Sequence, residues 1–324
     1  MHAPPDLRYL SKGDMAALDV GAAAVVDAIE ALCRGREAGT AMNAPKRALK
    51  PGANDPRFFM STLALGGDPP FMAVKALGLN ETNVGRELES IGALVTLFDG
   101  DTGHPLAVMD GDWITAVRTA GLSALAARHM ARPEASTLAL VGCGVQARSH
   151  LELFAGLYPL REVRALGRGR ANRDAVLATA AGEGLDAVAV DTPEAALDGA
   201  DIVVSTVPAH AGFQPFLDAN RLAPGTFVTM VDLARSWLPG GLDAFARIVI
   251  DDAPQEATMS QPMIEMARVA GDLQDLVAGR LAGRTDAAER TAFAFRGLAL
   301  GDLALAILAF EAARAAGIGT TLPR

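Results

Sequence analysis

Leu138-Ala-Leu-Val-Gly142-Cys-Gly144-Val-Gln-Ala147 is the stretch whose reading decides the fold. Its first half is continuously apolar, the pattern of a strand buried on both faces. A Gly-x-Gly turn follows, and then a helix over 146–158. The first glycine permits a tight turn. The second lets backbone approach a bound group closely, and Ala147 lets helix and strand pack tightly. The helix start has unpaired amides and a positive dipole end, which suit a phosphate. A lone Gly-x-Gly is weak evidence, but the context here strengthens it. Strands are expected over 137–142, 162–166, 187–190, 201–206, 226–231 and 248–250, with helices over 146–158 and 171–182 between the first of them. Short apolar strands alternating with helices specify a parallel sheet covered on both faces, of the Rossmann, doubly wound type.

Outside this region the pattern changes. Ser11 and Asp14 can cap a helix, and Val25, Val26, Ile29 and Leu32 continue it at helical spacing to about Arg36. A polar, proline-bearing stretch occupies 43–55, and apolar runs follow at 58–65, 71–77 and 91–98 with glycine- and proline-rich turns between them. This part reads as an antiparallel sheet with helices beside it. An alanine-rich helix spans 113–131 and stops at Pro133, and a last helix covers 298–316. The most apolar run of the chain lies in that helix and is interrupted by Asp302.

Composition excludes several classes. The chain has 324 residues, a length that points to about two domains. A formal net charge of −9 is unsuited to a nucleic-acid backbone. The two cysteines, Cys33 and Cys143, give no disulfide framework, and none of the five histidines has a metal-ligand spacing. No stretch has the ~18 consecutive apolar residues of a membrane span. The amino terminus lacks the basic start and apolar core of a secretion signal. A cytoplasmic protein with no metal is the expectation.

The nucleotide type is read from the end of the second Rossmann strand. NAD calls for an acid there, on the ribose hydroxyls. This chain has Gly167-Arg168-Gly169-Arg170. Arg168 suits a 2′-phosphate, so NADP(H) is the preferred cofactor and NAD(H) the alternative.

The combined pattern resembles the ornithine cyclodeaminase/μ-crystallin family. The resemblance rests on Ala107-Val-Met-Asp-Gly-Asp-Trp-Ile-Thr-Ala-Val-Arg118-Thr-Ala, on the spacing from it to Val141-Gly-Cys-Gly-Val-Gln-Ala147, and more weakly on Ala44-Pro-Lys-Arg47, Lys75, Leu242-Asp243 and the 297–302 segment. It implies an α/β protein in which a Rossmann domain, 118–297, is inserted in an α+β substrate-binding and dimerisation domain, 1–117 plus 298–324. It implies a homodimer and a small imino- or amino-acid substrate. Arg47, Lys75 and Arg118 map onto the family's substrate-carboxylate residues and are the catalytic candidates; a guanidinium fork matches a planar carboxylate. Lys75 lies inside an apolar run, where a charge is costly unless paired. Ser90, Gly142, Cys143, Gly144, Val145, Gln146, Gly167, Arg168, Gly169, Asn172, Thr206 and Val207 map onto the dinucleotide site.

The chain departs from the pattern after the fifth Rossmann strand. Ornithine cyclodeaminases carry there an aspartate that binds the substrate's side-chain amine. This chain has Arg235 in that place and Asp232 three residues earlier, and both are substrate-binding candidates. An arginine would repel an ammonium, whereas a cyclic ketimine has no such group. The expected reaction is therefore NADPH-dependent reduction of a cyclic ketimine, such as Δ1-pyrroline-2-carboxylate or Δ1-piperideine-2-carboxylate. Ornithine cyclodeaminase, an alanine-type dehydrogenase and a non-catalytic crystallin-like binding protein are the alternatives, in that order.

Overall fold

A computed structural model describes residues 6–52, 55–208, 210 and 212–324. The sequence reading of the amino terminus falls partly, on residues 1–5, outside this range. The chain divides into two compact units, Met1–Arg118 with Leu298–Arg324, and Thr119–Gly297.

In the first unit, strands β1 (Leu7–Leu10), β2 (Met42–Asn43), β3 (Arg47–Leu49), β4 (Arg57–Gly66), β5 (Phe71–Asn80), β6 (Ile91–Asp99), β7 (Pro105–Asp110) and β16 (Thr320–Leu322) form one mixed sheet. Its order is β16-β1-β7-β6-β5-β4-β2, and β3 also pairs with β4. The apolar runs become a meander, β4 to β7, with antiparallel register throughout. Two helices precede it, the short α1 (Lys12–Ala16) and the longer α2 (Ala22–Glu37). Ser11 and Asp14 form a reciprocal capping box at the start of α1. Helix α9 (Ala299–Ala316) packs on β4, β5 and β6 and against α2. Alternation along the strands sends Thr62, Ala64, Ala73, Lys75, Val95 and Leu97 to the buried face. The register places Lys75 opposite Thr62 on one side and Val95 on the other. Helix α3 (Gly111–Met130) begins in this unit and carries Arg118.

The second unit is a parallel sheet of eight strands, β10-β9-β8-β11-β12-β15-β13-β14. These are β8 (Thr137–Val141), β9 (Glu162–Leu166), β10 (Asp186–Val190), β11 (Ile202–Ser205), β12 (Phe227–Met230), β13 (Arg247–Ile250), β14 (Val269–Asp272) and β15 (Thr291–Ala294). Helices α4 (Val145–Ala155), α5 (Arg170–Gly182), α6 (Pro193–Leu197), α7 (Ala253–Glu256) and α8 (Leu273–Val277) connect them. The short strands β8, β11, β12 and β15 are buried or nearly so at every position, as a sheet covered on both faces requires. The strand order reverses at β8, between β9 and β11, so the carboxyl ends of β8 and β11 open a crevice there.

The sequence reading omits several strands that the structure contains. β15 inserts between β12 and β13. β7 and β1 pair in parallel inside the first sheet, and β3 forms within the polar, proline-bearing stretch, for which no strand is expected. Strands β1, β3 and β15, of three or four residues, have too few residues to show a period.

Candidate active site

The first group of candidate side chains is buried in the first unit. Lys75 stands in the middle of β5, surrounded by Phe71, Ala73 and Leu77 on the same strand face, and is only 2% exposed. Its Nζ donates to Asp302 Oδ1 at 2.7 Å and to Thr115 Oγ1 at 3.4 Å. Arg118 Nε lies 3.1 Å from the same Asp302 oxygen, an ion pair without hydrogen-bond alignment. The other carboxylate oxygen accepts from Thr62 Oγ1 at 3.0 Å. One carboxylate thus faces two cations, and the cluster carries one residual positive charge. Burial of such a charge is expensive, and a second anion would relieve it.

The titration of these groups follows from that geometry. Burial would push the Asp302 carboxyl up, but the Lys75 ammonium and the Arg118 guanidinium, with Lys46 adding to them, hold it below the usual carboxylate range. Burial pulls the Lys75 ammonium down to about 8; Asp302 opposes the fall and the like charge of Arg118 deepens it.

Arg47 is not brought into this group. It sits on β3 opposite Ser61, one position out of phase with the Thr62–Lys75 pair, and its side chain is exposed. Alternation sends the two to opposite faces. From this segment it is Lys46 whose charge reaches Asp302. Ser90 also lies in the first unit, just before β6, where its carbonyl accepts from Asn80 N at 2.8 Å.

The second group lines a cavity of about 900 Å³ in the second unit, at the reversal of strand order. Gly142, Cys143, Gly144, Gly167, Arg168, Gly169, Asn172, Thr206 and Val207 all face it. The glycines fit a dinucleotide. Gly142 has φ +93°, and a Cβ there would lie 2.7 Å from Thr206 Oγ1, so only glycine suits this turn. Gly144 caps α4 with no side-chain hydrogen bond, and a Cβ on it would meet nothing within 4 Å. The space around Gly144 before the helix amides is open, which suits a pyrophosphate on a helix N-terminus. Val145 and Gln146 open that helix; Val145 is exposed, and Gln146 Oε1 is buried without a hydrogen-bond partner. Beside Cys143, Gly167 leaves no room for a side chain: a Cβ would stand 2.7 Å from the Cys143 sulfur. Burial pushes the Cys143 thiol up, in keeping with a packing role in this turn.

The acid expected of an NAD-type ribose site is absent from the end of β9. Arg168 is exposed at the cavity. A second guanidinium, Arg173, lines the same cavity one turn into α5 and bonds Asp191 at 2.9 Å. Sequence reading passed over Arg173, although a cation in the first turn of the helix beside Arg168 was visible there.

Asp232 and Arg235 follow β12. Asp232 is buried and accepts from Ser205 Oγ and Ser236 Oγ, while the Trp237 indole donates to Ser205. Burial pushes its carboxyl up against the pull of the two hydroxyls. Leu233 and Ala234 both adopt φ +61°, a strained left-handed pair that turns the chain sharply between Asp232 and the exposed Arg235. Among the described residues there is no cluster of metal-binding side chains, and no helix is long and apolar enough to cross a membrane.

The family model of the ornithine cyclodeaminase/mu-crystallin family matches residues 15–317. The chain belongs to that family. The mouse ketimine reductase mu-crystallin is 28% identical over 82% of this chain and 84% of its own length. Among solved structures, that of Thermococcus litoralis Δ1-pyrroline-2-carboxylate reductase in complex with NADH and L-proline superposes with a TM-score of 0.86 at 25% identity, over 97% of this chain and 99% of the other. An archaeal alanine dehydrogenase dimer with bound NAD gives the same TM-score and identity, over 98% of this chain and 99% of the other. Family membership accounts for the α/β fold with its Rossmann-type sheet, and the named relatives are oxidoreductases acting at a carbon–nitrogen bond.

Proposed function

We propose that this protein is an NADPH-preferring ketimine reductase that converts a small cyclic ketimine carboxylate, Δ1-pyrroline-2-carboxylate or Δ1-piperideine-2-carboxylate, to the L-imino acid. The observation that carries this reading is the buried Lys75–Asp302–Arg118 cluster with its residual positive charge. A substrate carboxylate supplies the missing negative charge and leaves the group neutral. The guanidinium of Arg118 offers a planar fork and Lys75 a point charge. Together they fix the α-carbon, and a fixed near-attack geometry is a large share of what such a reaction needs.

When bound in the glycine-lined cavity, the reduced nicotinamide supplies hydride to the imine carbon. The imine nitrogen takes one proton, so the C=N bond becomes CH–NH. Lys75 holds its proton up to about pH 8, close enough to neutrality to give it up, and is the group we assign as the acid. Arg168 at the end of β9, with Arg173 beside it, supports a 2′-phosphate on the adenosine ribose and hence NADPH.

Cyclodeamination of a diamino acid needs a carboxylate for the far amine. Both oxygens of Asp232 are taken by serine hydroxyls, and Arg235 bears the wrong charge. These residues are therefore assigned no role in binding an amine. The outer face of the first sheet bears Leu63, Leu65, Met72, Val74 and Phe98 around an apolar hollow of about 660 Å³. We assign that face to a second copy of the chain, giving a homodimer.

The test is a substrate panel. Purified protein is mixed with NADPH or NADH and with pyrroline-2-carboxylate, piperideine-2-carboxylate or pyruvate plus ammonia, and separately with NAD and L-ornithine. Turnover of a cyclic ketimine, faster with NADPH, is the expected result. Ammonia release from L-ornithine without ketimine reduction would replace this reading with cyclodeamination.

A further inference from the structure

We propose that Asp302 is a positioning residue: its buried carboxylate holds Lys75 as an ammonium and so sets the pH up to which the site accepts a carboxylate ligand. The inference rests on the proposed carboxylate-binding role of Lys75 and adds the group that keeps that role available. Asp302 lies near the start of α9, 227 positions from Lys75 in sequence, and its Oδ1 accepts from Lys75 Nζ at 2.7 Å.

The groups that face Lys75 come from three elements. Asp302 on α9 is the one carboxylate, among the described residues, that acts on it. Arg118 on α3 opposes it with a like charge, and Thr115 on α3 offers only a hydroxyl. From β4, Thr62 anchors the far carboxylate oxygen, which keeps Oδ1 turned toward both cations. Lys46, beyond this shell, acts on Asp302. Without the Asp302 charge, Lys75 would be left in a dry site with Arg118 as its charged neighbour. An ammonium so placed sheds its proton, because burial and like charge both favour the neutral amine. The site would then face the ligand with one cation instead of two. Asp302 also leaves one cation uncompensated, so that a single carboxylate completes two pairs.

The experiment uses full-length protein and the variant Asp302→Asn, which keeps the side-chain shape and an acceptor for Thr62. Lysine labelled with 13C at Cε reports the Lys75 titration by NMR, with the signal assigned by its loss in Lys75→Met. The midpoint should fall by about one pH unit or more in Asp302→Asn, the size that loss of a close counter-charge commonly produces. An unchanged midpoint overturns the proposal whether or not the enzyme turns over a ketimine, so its failure is distinct from failure of the assigned reaction. The second readout is the KM for pyrroline-2-carboxylate. It should rise about fivefold or more at pH 8, the factor that a one-unit fall from about 8 produces, and approach the unmodified value at pH 6, where Lys75 is largely charged in both proteins. A KM raised equally at both pH values would show a merely structural role and overturn the proposal. Should Asp302→Asn not fold, Thr62→Val, which loosens the carboxylate, is expected to lower the same midpoint by a smaller amount; no movement there also overturns it.

Discussion

At the scale of single residues, charge balance decides what each substitution does. Arg118→Ala removes one of the two cations that meet Asp302, leaving Lys75 and Asp302 as a neutral pair with no surplus charge for a substrate. We expect kcat/KM to fall at least about a hundredfold, which corresponds to about 2.7 kcal/mol of transition-state stabilisation. Because Arg118 depresses Lys75, the alkaline limb of kcat/KM should also move upward from its starting point near pH 8. The sign is informative: the binding form exists below the Lys75 pKa and is lost above it, so removing a like charge extends activity to higher pH. A limb that moves downward would contradict the arrangement. Arg168→Asp should raise the KM for NADPH about tenfold or more and spare NADH, since a charge-assisted bond of about 1.5–3 kcal/mol is lost and replaced by repulsion. Equal use of both nucleotides by the unmodified protein would sink the assignment of Arg168. Lys75 advertised itself in the sequence as a charge inside an apolar run. Asp302 advertised itself in the same way, as the acid that interrupts the most apolar helix, but its partner lies across the chain and no local spacing could name it.

At the scale of elements, the two glycines of the β8–α4 turn separate folding from binding. Gly142→Ala places a Cβ against Thr206 at a left-handed φ, so thermal stability should drop by about 1–3 kcal/mol. Gly144 has an extended backbone and open space around its Cα, so Gly144→Val should leave the melting temperature nearly unchanged. It should weaken NADPH binding at least about tenfold, since the side chain enters the space in front of the helix amides. Nucleotide binding unaffected by Gly144→Val, measured by fluorescence titration, would place the phosphates elsewhere. This turn was legible because its chemistry is local: strand, glycine, helix and spacing all lie within ten residues. The short strands β3, β14 and β15 were not, because what makes them strands is their pairing with distant neighbours. Arg47 shows the cost of that blindness. Mapping by motif placed it with Lys75, whereas the β3–β4 register sets it on the opposite pleat and brings Lys46 toward Asp302 instead.

At the scale of the whole molecule, the first sheet poses a question of solubility. One face is covered by α2 and α9, and its alternation is apolar inward. The other face should then be polar if it met water. It is not. The register aligns Leu63, Val74, Thr96 and Val108 across four strands, and Leu65, Met72 and Phe98 in the next row. Leu63 and Leu94 are each about half exposed, at 52% and 51%. Soluble monomers rarely present a contiguous apolar patch beyond a few hundred Å². A two-fold axis through such a face buries the same rows of both copies against each other, which is the simplest closed arrangement for one surface. The proposed homodimer therefore predicts a defined response to charge. Leu63→Glu with Val74→Glu places two carboxylates in each copy's contact rows, and in a two-fold contact like charges meet like. Sedimentation should show a dimer of the unmodified chain and a monomer, or an aggregate, of the double variant. The nucleotide cavity lies wholly in the second unit, so NADPH binding by the variant should persist if the protein stays folded. A double variant that remains a dimer with unchanged affinity between copies would move the interface to another face.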